Sequence, residues 1–210
     1  MEKDIVFFND SLKQRNLCTF QPQSVHGVIY EVVRIIDGVP LFLEDHLNRL
    51  FQSAQIAGIM KILPSEQQIA DVFNQLINAN KKTTGNIQLN IFKNKSEAGI
   101  FGGFIKHKYP SAEQYEKGVL VDFLFAERKN PEAKIIQQNL RERSNNMMQE
   151  KGLYEVLLVD RHHLVTEGSR SNLFIIADNK LYTAPLQMVL EGITRKKIVS
   201  VALDNSIPFI

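Results

Sequence analysis

The 210-residue chain is short of most features that would assign a function by composition. It has one cysteine, Cys18, so no disulfide can close within the chain, and a reducing, cytoplasmic compartment is the expectation. No His–Asn arrangement near Cys18 supports a thiol nucleophile. No apolar run approaches the roughly 18 residues of a membrane span, and the polar start Met1–Asp4 carries no signal-peptide pattern. An excess of one charge is also missing: 25 Lys and Arg against 23 Asp and Glu leave +2, which argues against a nucleic-acid partner. The adjacent His162 and His163 lack a ligand set with zinc-like spacing, so no metal is expected. Repeats and low-complexity tracts are absent. What is present is 44% hydrophobic and 23% charged, enough apolar content for one large domain or two small ones.

Periodicity supplies the elements. Val28–Ile36 is rich in β-branched residues, Asp37-Gly38 signals a hairpin, and Val39–Leu43 returns. A helix is expected from about Glu44, with Leu47, Leu50, Phe51, Ala54 and Ala57 on one face and Gly58 as its stop. A second begins at Ser65, with Gln68 completing a capping box and Ile69, Val72, Phe73, Leu76 and Ile77 as its buried stripe. Asn78 to Gly85 reads as a polar loop. Asn86–Phe92 alternates like a half-buried strand, and Gly99–Ile105 reads as another. After a linker come strands at Val119–Phe125, Val156–Asp160 and Leu164-Val165, a hairpin across Asp178-Asn179, and a helix from about Thr194 to Asp204.

Residues able to carry chemistry concentrate in three stretches. Lys134 opens the first, Ala133-Lys134-Ile135-Ile136-Gln137-Gln138-Asn139. Glu167 lies 33 positions on, in Val165-Thr166-Glu167-Gly168-Ser169-Arg170-Ser171-Asn172-Leu173-Phe174. The third is Leu190-Glu191-Gly192-Ile193-Thr194-Arg195. Singly, each has an ordinary reading: a solvated lysine, a turn glutamate, a turn asparagine, a core leucine, a threonine capping a helix. Together they resemble the class IV aminotransferases, the fold-type-IV pyridoxal 5′-phosphate (PLP) enzymes. That family includes branched-chain aminotransferases, D-amino-acid transaminases and aminodeoxychorismate lyases.

The resemblance implies roles. Lys134 would form the Schiff base with the cofactor aldehyde and then move the substrate α-proton. Glu167 would keep the pyridine nitrogen protonated, which strengthens the ring as an electron sink. Asn172 and Leu190 would shape the cofactor site, Leu190 beneath the ring. Ile193 and Thr194, opening the last helix, would bind the phosphate. Arg49, in Glu44-Asp45-His46-Leu47-Asn48-Arg49-Leu50, matches a family arginine that binds the same phosphate with its planar fork. Because it lies off the apolar stripe, a solvated arginine remains the other reading, with His46 as structural support. Tyr30, in Tyr30-Glu31, would line the substrate side or be a half-buried strand tyrosine. Lys93 and Arg170 are candidates for a substrate carboxylate, with plain solvation the alternative for each.

The implied fold is α+β with two domains, of the D-amino-acid-transaminase type. A smaller α/β domain would span 1–107, a linker 108–115, and a larger barrel-like, cofactor-binding β domain 116–210, shortened at its C-terminus relative to the family. The implied activity is PLP-dependent transfer of an amino group between an amino acid and a 2-keto acid, by a homodimer. A pyruvate-eliminating aminodeoxychorismate lyase on the same scaffold is the alternative, followed by a PLP-binding paralogue without turnover. Several positions depart from the family: Asn139 where branched-chain enzymes carry tyrosine, Gln88 for their substrate-side arginine, Glu191 for proline, and the segment Cys18–Gly27.

Overall fold

The computed structural model describes residues 4–18, 28–93, 98–107 and 109–210. Of the divergent segment Cys18–Gly27, residues 19–27 therefore lie outside the described residues, as do 1–3, 94–97 and 108. The chain forms two compact units, Met1–Lys108 with Ala133–Ile136, and Tyr109–Glu132 with Gln137–Ile210.

The first unit is built on a six-stranded antiparallel sheet. Its strands are β1 (Ile5–Phe8), β2 (Ser11–Gln14), β3 (Ile29–Ile36), β4 (Val39–Pro40), β5 (Gly85–Lys93) and β6 (Ala98–Ile105), in the order β2-β1-β6-β5-β3-β4. Helices α1 (Leu43–Ile56) and α2 (Glu66–Asn80) supply the apolar stripes expected of them. Ile69, Phe73, Leu76 and Leu50 pack with Ile29, Val33, Ile35, Ile87, Leu89 and Ile91 as the main core. The α2 capping box forms in both directions, Gln68 N–H to Ser65 Oγ at 3.3 Å and Ser65 N–H to Gln68 Oε1 at 2.9 Å. At the β3–β4 hairpin Asp37 and Gly38 have φ of 51° and 79°, the left-handed pair that such turns require.

Several expectations are corrected here. The return after Gly38 is only two residues long. Phe42 adopts a left-handed backbone (φ 53°) and opens α1 without a side-chain cap. The N-terminal hairpin β1–β2 has no sequence counterpart above; β1 is fixed by pairing with β6. The loop expected from Asn78 starts later, because Asn80 stays helical. Its buried side chain accepts from Ile5 N–H (2.8 Å) and donates to Ile5 O and Leu76 O (2.9 Å each). β5 is covered on both sides over its second half: Phe92 belongs to a smaller cluster with Val6, Val28, Phe101 and Ile136.

The second unit contains α3 (Ala112–Lys117), β7 (Val121–Phe125), α4 (Gln138–Lys151), β8 (Glu155–Val159) and β9 (Val165–Gly168). It ends with the hairpin β10 (Ile175–Ala177) and β11 (Lys180–Tyr182) and then α5 (Ile193–Asp204). β7 and β8 are parallel, with α4 in the connection, and β9 is antiparallel to β8 with a register shift between Leu157 and Val159. Two helices are unforeseen. α3 occupies part of the expected linker, held by its own capping box at Ser111 and Gln114. α4 buries only Leu140 and Ser144, so it has almost no apolar stripe to betray it. No helix among the described residues is long and apolar enough to cross a membrane.

Candidate active site

The sequence-derived residues fall into two groups, one in each unit.

In the first unit, Lys134 sits on a four-residue stretch that joins the start of β3. Its carbonyl accepts from Tyr30 N–H (3.1 Å), Ile135 bridges Ile29, and Ile136 N–H donates to Val28 O (2.9 Å). Its own N–H donates to Ser53 Oγ at 3.0 Å, and Ser53 is fully buried on α1. The backbone carrying the amine is thus fixed from two elements. Lys134 Nζ lies 4.8 Å from the centre of the Tyr30 ring, a cation–π distance.

Tyr30 alternates with Glu31, which faces the core between Ile29 and Val33 and is 2% exposed. A carboxylate there is tolerable only with charge partners. Arg49 provides them, donating from Nε to Oε1 (2.7 Å) and from Nη2 to Oε2 (2.6 Å), while His46 Nδ1 stands 2.7 Å from Oε2. Burial raises the Glu31 pKa. The Arg49 and His46 hydrogen bonds and the charges of Arg49 and Lys134 outweigh it and bring it down to about 2. Arg49 is therefore buried and fork-paired; the solvated alternative does not hold. His46, Arg49 and Ser53 share one face of α1 by their spacing of three and four.

In the second unit, Glu167 on β9 is 2% exposed. Arg128 Nε donates to its Oε1 at 2.7 Å, and Arg128 Nη2 donates to Ser169 O at 3.2 Å. Oε2 accepts from Leu190 N–H (3.3 Å) and Asn172 Nδ2 (3.5 Å). Asn172 Nδ2 also donates to Leu190 O at 2.9 Å. Leu190 is held at both ends of its peptide, and its side chain is buried. Two residues on, Gly192 caps α5 with no side-chain bond to the first turn, so the N–H groups of that turn have no side-chain cap. A Cβ at Gly192 would stand 2.0 Å from Asn172 Oδ1, so only glycine fits against that amide.

The turn after Glu167 is organised by Glu155 at the start of β8. Its carboxylate accepts from Ser169 Oγ (2.6 Å), Ser169 N–H (3.2 Å), Ser171 Oγ (3.0 Å) and Arg170 N–H (3.3 Å). Arg195, in the first turn of α5, is buried: Nη2 donates to Ala184 O at 3.0 Å, while Nε has no partner among the described residues. Burial lowers its pKa, and Glu191 opposes that. The remaining candidates are exposed: Lys93 ends β5, and Arg170 places its guanidinium on Asn145 of α4.

Four residues receive no role in the sequence reading. Glu31 had a visible signal, a charge at a core phase of an alternating strand. Ser53 and Glu155 act through hydrogen bonds that no pattern announces, and Arg128 lies in an aperiodic stretch. Among the described residues no group of three or more His, Cys, Asp or Glu could hold a metal.

The family model for amino-transferase class IV matches residues 28–210. D-alanine aminotransferase of Bacillus licheniformis is 27% identical over 97% of this chain and 77% of its own length. A branched-chain amino acid aminotransferase from T.th. solved with pyridoxamine 5′-phosphate superposes with a TM-score of 0.82 at 18% identity, covering 100% of this chain and 77% of that one. A putative 4-amino-4-deoxychorismate lyase from Legionella pneumophila gives 0.76 at 21% identity, over 88% and 72%. At these identities the two solved structures speak for the fold alone.

Proposed function

Because the chain belongs to the class IV aminotransferase family, we propose that it is a PLP-dependent aminotransferase, moving an amino group between an amino acid and a 2-keto acid. The observation that carries this reading is Glu167, a carboxylate buried on β9 and paired with the Arg128 cation at 2.7 Å. A buried, charge-paired carboxylate suits a ring N–H. The rest of the donor set fits the same cofactor: a primary amine on a fixed backbone, and an uncapped helix start for a phosphate.

When bound, PLP supplies the electron sink for charge left on the substrate Cα. Lys134 Nζ would hold the cofactor through its aldehyde and would move the substrate α-proton. Glu167 would keep a proton on the ring nitrogen. The amides of Ile193 and Thr194, with the Thr194 hydroxyl, take the phosphate, and Arg49 adds positive charge, its orientation fixed by Glu31. Leu190, braced by Asn172, would pack against the ring. Tyr30 flanks Lys134 on the substrate side, while Lys93 and Arg170 are the less favoured contacts for a substrate carboxylate, being exposed. The protein would act as a homodimer in the cytoplasm.

The visible absorption spectrum with added PLP tests the reading, wild type beside Lys134→Ala. We expect the band of lysine-bound pyridoxal in the wild type, its loss in the variant, and bleaching by particular L- or D-amino acids. A band that no amino acid bleaches would move the assignment to the lyase. No band at all would leave a relative without the chemistry.

A further inference from the structure

We propose that Ser53 is a positioning residue that sets the direction in which Lys134 carries its amine, and through it the rate at which the substrate α-proton is moved. The proposal rests on the aminotransferase reading above and gives a role there to a side chain that acts only through Lys134.

Lys134 stands at the middle of a three-residue turn, closed by the Ile135 N–H on Ala133 O at 2.9 Å. The two polar groups of its own backbone are held by different elements. Its N–H donates to Ser53 Oγ on α1 at 3.0 Å, and its carbonyl accepts from Tyr30 N–H on β3 at 3.1 Å. At a tetrahedral Cα of one hand, two fixed backbone directions leave a single direction for Cβ. The hydroxyl and the strand together therefore aim the side chain, whose Nζ ends 4.8 Å from the centre of the Tyr30 ring. All of these groups belong to one compact unit.

Packing alone does not ask for a hydroxyl at this place. Ser53 is fully buried on α1, beside Leu50 and Ala54 of the main core. Alanine is the better helix former, and a buried hydroxyl needs a hydrogen-bond partner. The partner is a backbone N–H 81 positions away in sequence. Ser53 also lies one helical turn beyond Arg49. One rigid helix thus carries both the arginine of the proposed phosphate site and one of the two anchors of the amine.

In the proposed reaction a C–H bond breaks at the substrate Cα and an N–H bond forms at the neutral Lys134 amine, which becomes an ammonium. The electron pair stays on the substrate and is drawn toward the ring. Such a transfer depends on the distance and angle between Cα and Nζ. With the Ser53 anchor removed, the turn can rock about its remaining bond to Tyr30, and a misplacement of about 1 Å costs up to roughly a hundredfold in rate. Capture of the amino donor does not depend on that angle, so the loss falls on kcat rather than on KM.

The test follows the bleaching of the lysine-bound band after rapid mixing of the PLP-loaded protein with an amino donor carrying hydrogen or deuterium at Cα. Ser53→Ala should keep the band, because Lys134 is intact. Its bleaching should slow at least about tenfold and remain slower still with the deuterated donor, with KM little changed. Ser53→Thr keeps the oxygen and should recover most of the rate. Ser53→Cys offers sulfur, a weaker acceptor, and should fall between the two. The cysteine variant decides the question if the others do not fold, a wild-type rate in it counting against the proposal. Bleaching at the wild-type rate in Ser53→Ala would overturn the proposal whatever the melting temperature. So would slowed bleaching that no longer responds to deuterium, since the loss would then lie in a step that leaves the α-proton in place. Two separate observations on the wild type would remove the aminotransferase reading together with this one: no lysine-bound band, or a band that no amino acid bleaches.

Discussion

Glu31 makes a buried charge useful. Its carboxylate lies among Ile29, Val33 and the α1 face, and its pKa is held at about 2, well below its ordinary value of 4.5, because Arg49, His46 and Lys134 outweigh the cost of burial. A depressed pKa contributes stability that is complete above pH 4.5 and is lost as the pH falls toward 2. Urea unfolding between pH 7 and pH 2.5 should therefore show a steep loss in the wild type over that interval. Glu31→Gln should flatten it. At pH 7 the same variant leaves the Arg49 guanidinium buried without its countercharge, and we expect a loss of about 3–5 kcal/mol. Equal slopes for the two proteins in acid would mean that the ion pair is not what stabilises β3 against α1.

Among elements, the start of α5 depends most on a single atom. Gly192 has ordinary backbone angles, φ −68° and ψ 139°, so strain does not require a glycine. Space does, since the Asn172 amide fills the position of a Cβ. Gly192→Ala should force that amide away, break its bond to Leu190 O, and release the peptide that Glu167 and Asn172 clamp together. We expect about 1–3 kcal/mol of destabilisation from the overpacking, and weaker PLP binding by fluorescence titration. Retained affinity with unchanged melting would show that the turn has slack. α4 makes the opposite point: a 14-residue helix forms with two buried side chains, anchored by Leu140 and by Ser144, whose hydroxyl donates to Leu140 O at 2.7 Å.

For the whole molecule, the contact units do not follow one cut in the sequence. Ala133–Ile136 leaves the second stretch of chain to pair beside β3, and Lys134 goes with it. Val121, Phe123 and Phe125 keep an apolar face of β7 exposed, at 38%, 52% and 62%, and association is one way to bury such a face. Family membership leads us to expect a homodimer. Sedimentation velocity should show one species of twice the chain mass at micromolar concentration, and a monodisperse monomer would count against it.

The sequence by itself determined the elements whose periodicity is strong. The α1 and α2 stripes, the alternation of β3 and β5, the capping box at Ser65 and the left-handed turn at Asp37-Gly38 are local consequences of side-chain spacing. It also carried the family resemblance, because Lys134, Glu167 and the run from Leu190 to Thr194 stand in recognisable order. Tertiary structure decided which polar groups are buried together. Arg49 lies off the apolar stripe of its helix, where spacing alone leaves solvation open, and is buried because Glu31 lies opposite it on β3. Arg128 offered no pattern and is placed by a carboxylate 39 positions away. Glu155 gathers a turn that sequence spacing alone would leave open. Burying a charge is costly until a partner arrives, and the partner's distance in the chain leaves no periodic trace; the fold alone brings the two within 3 Å.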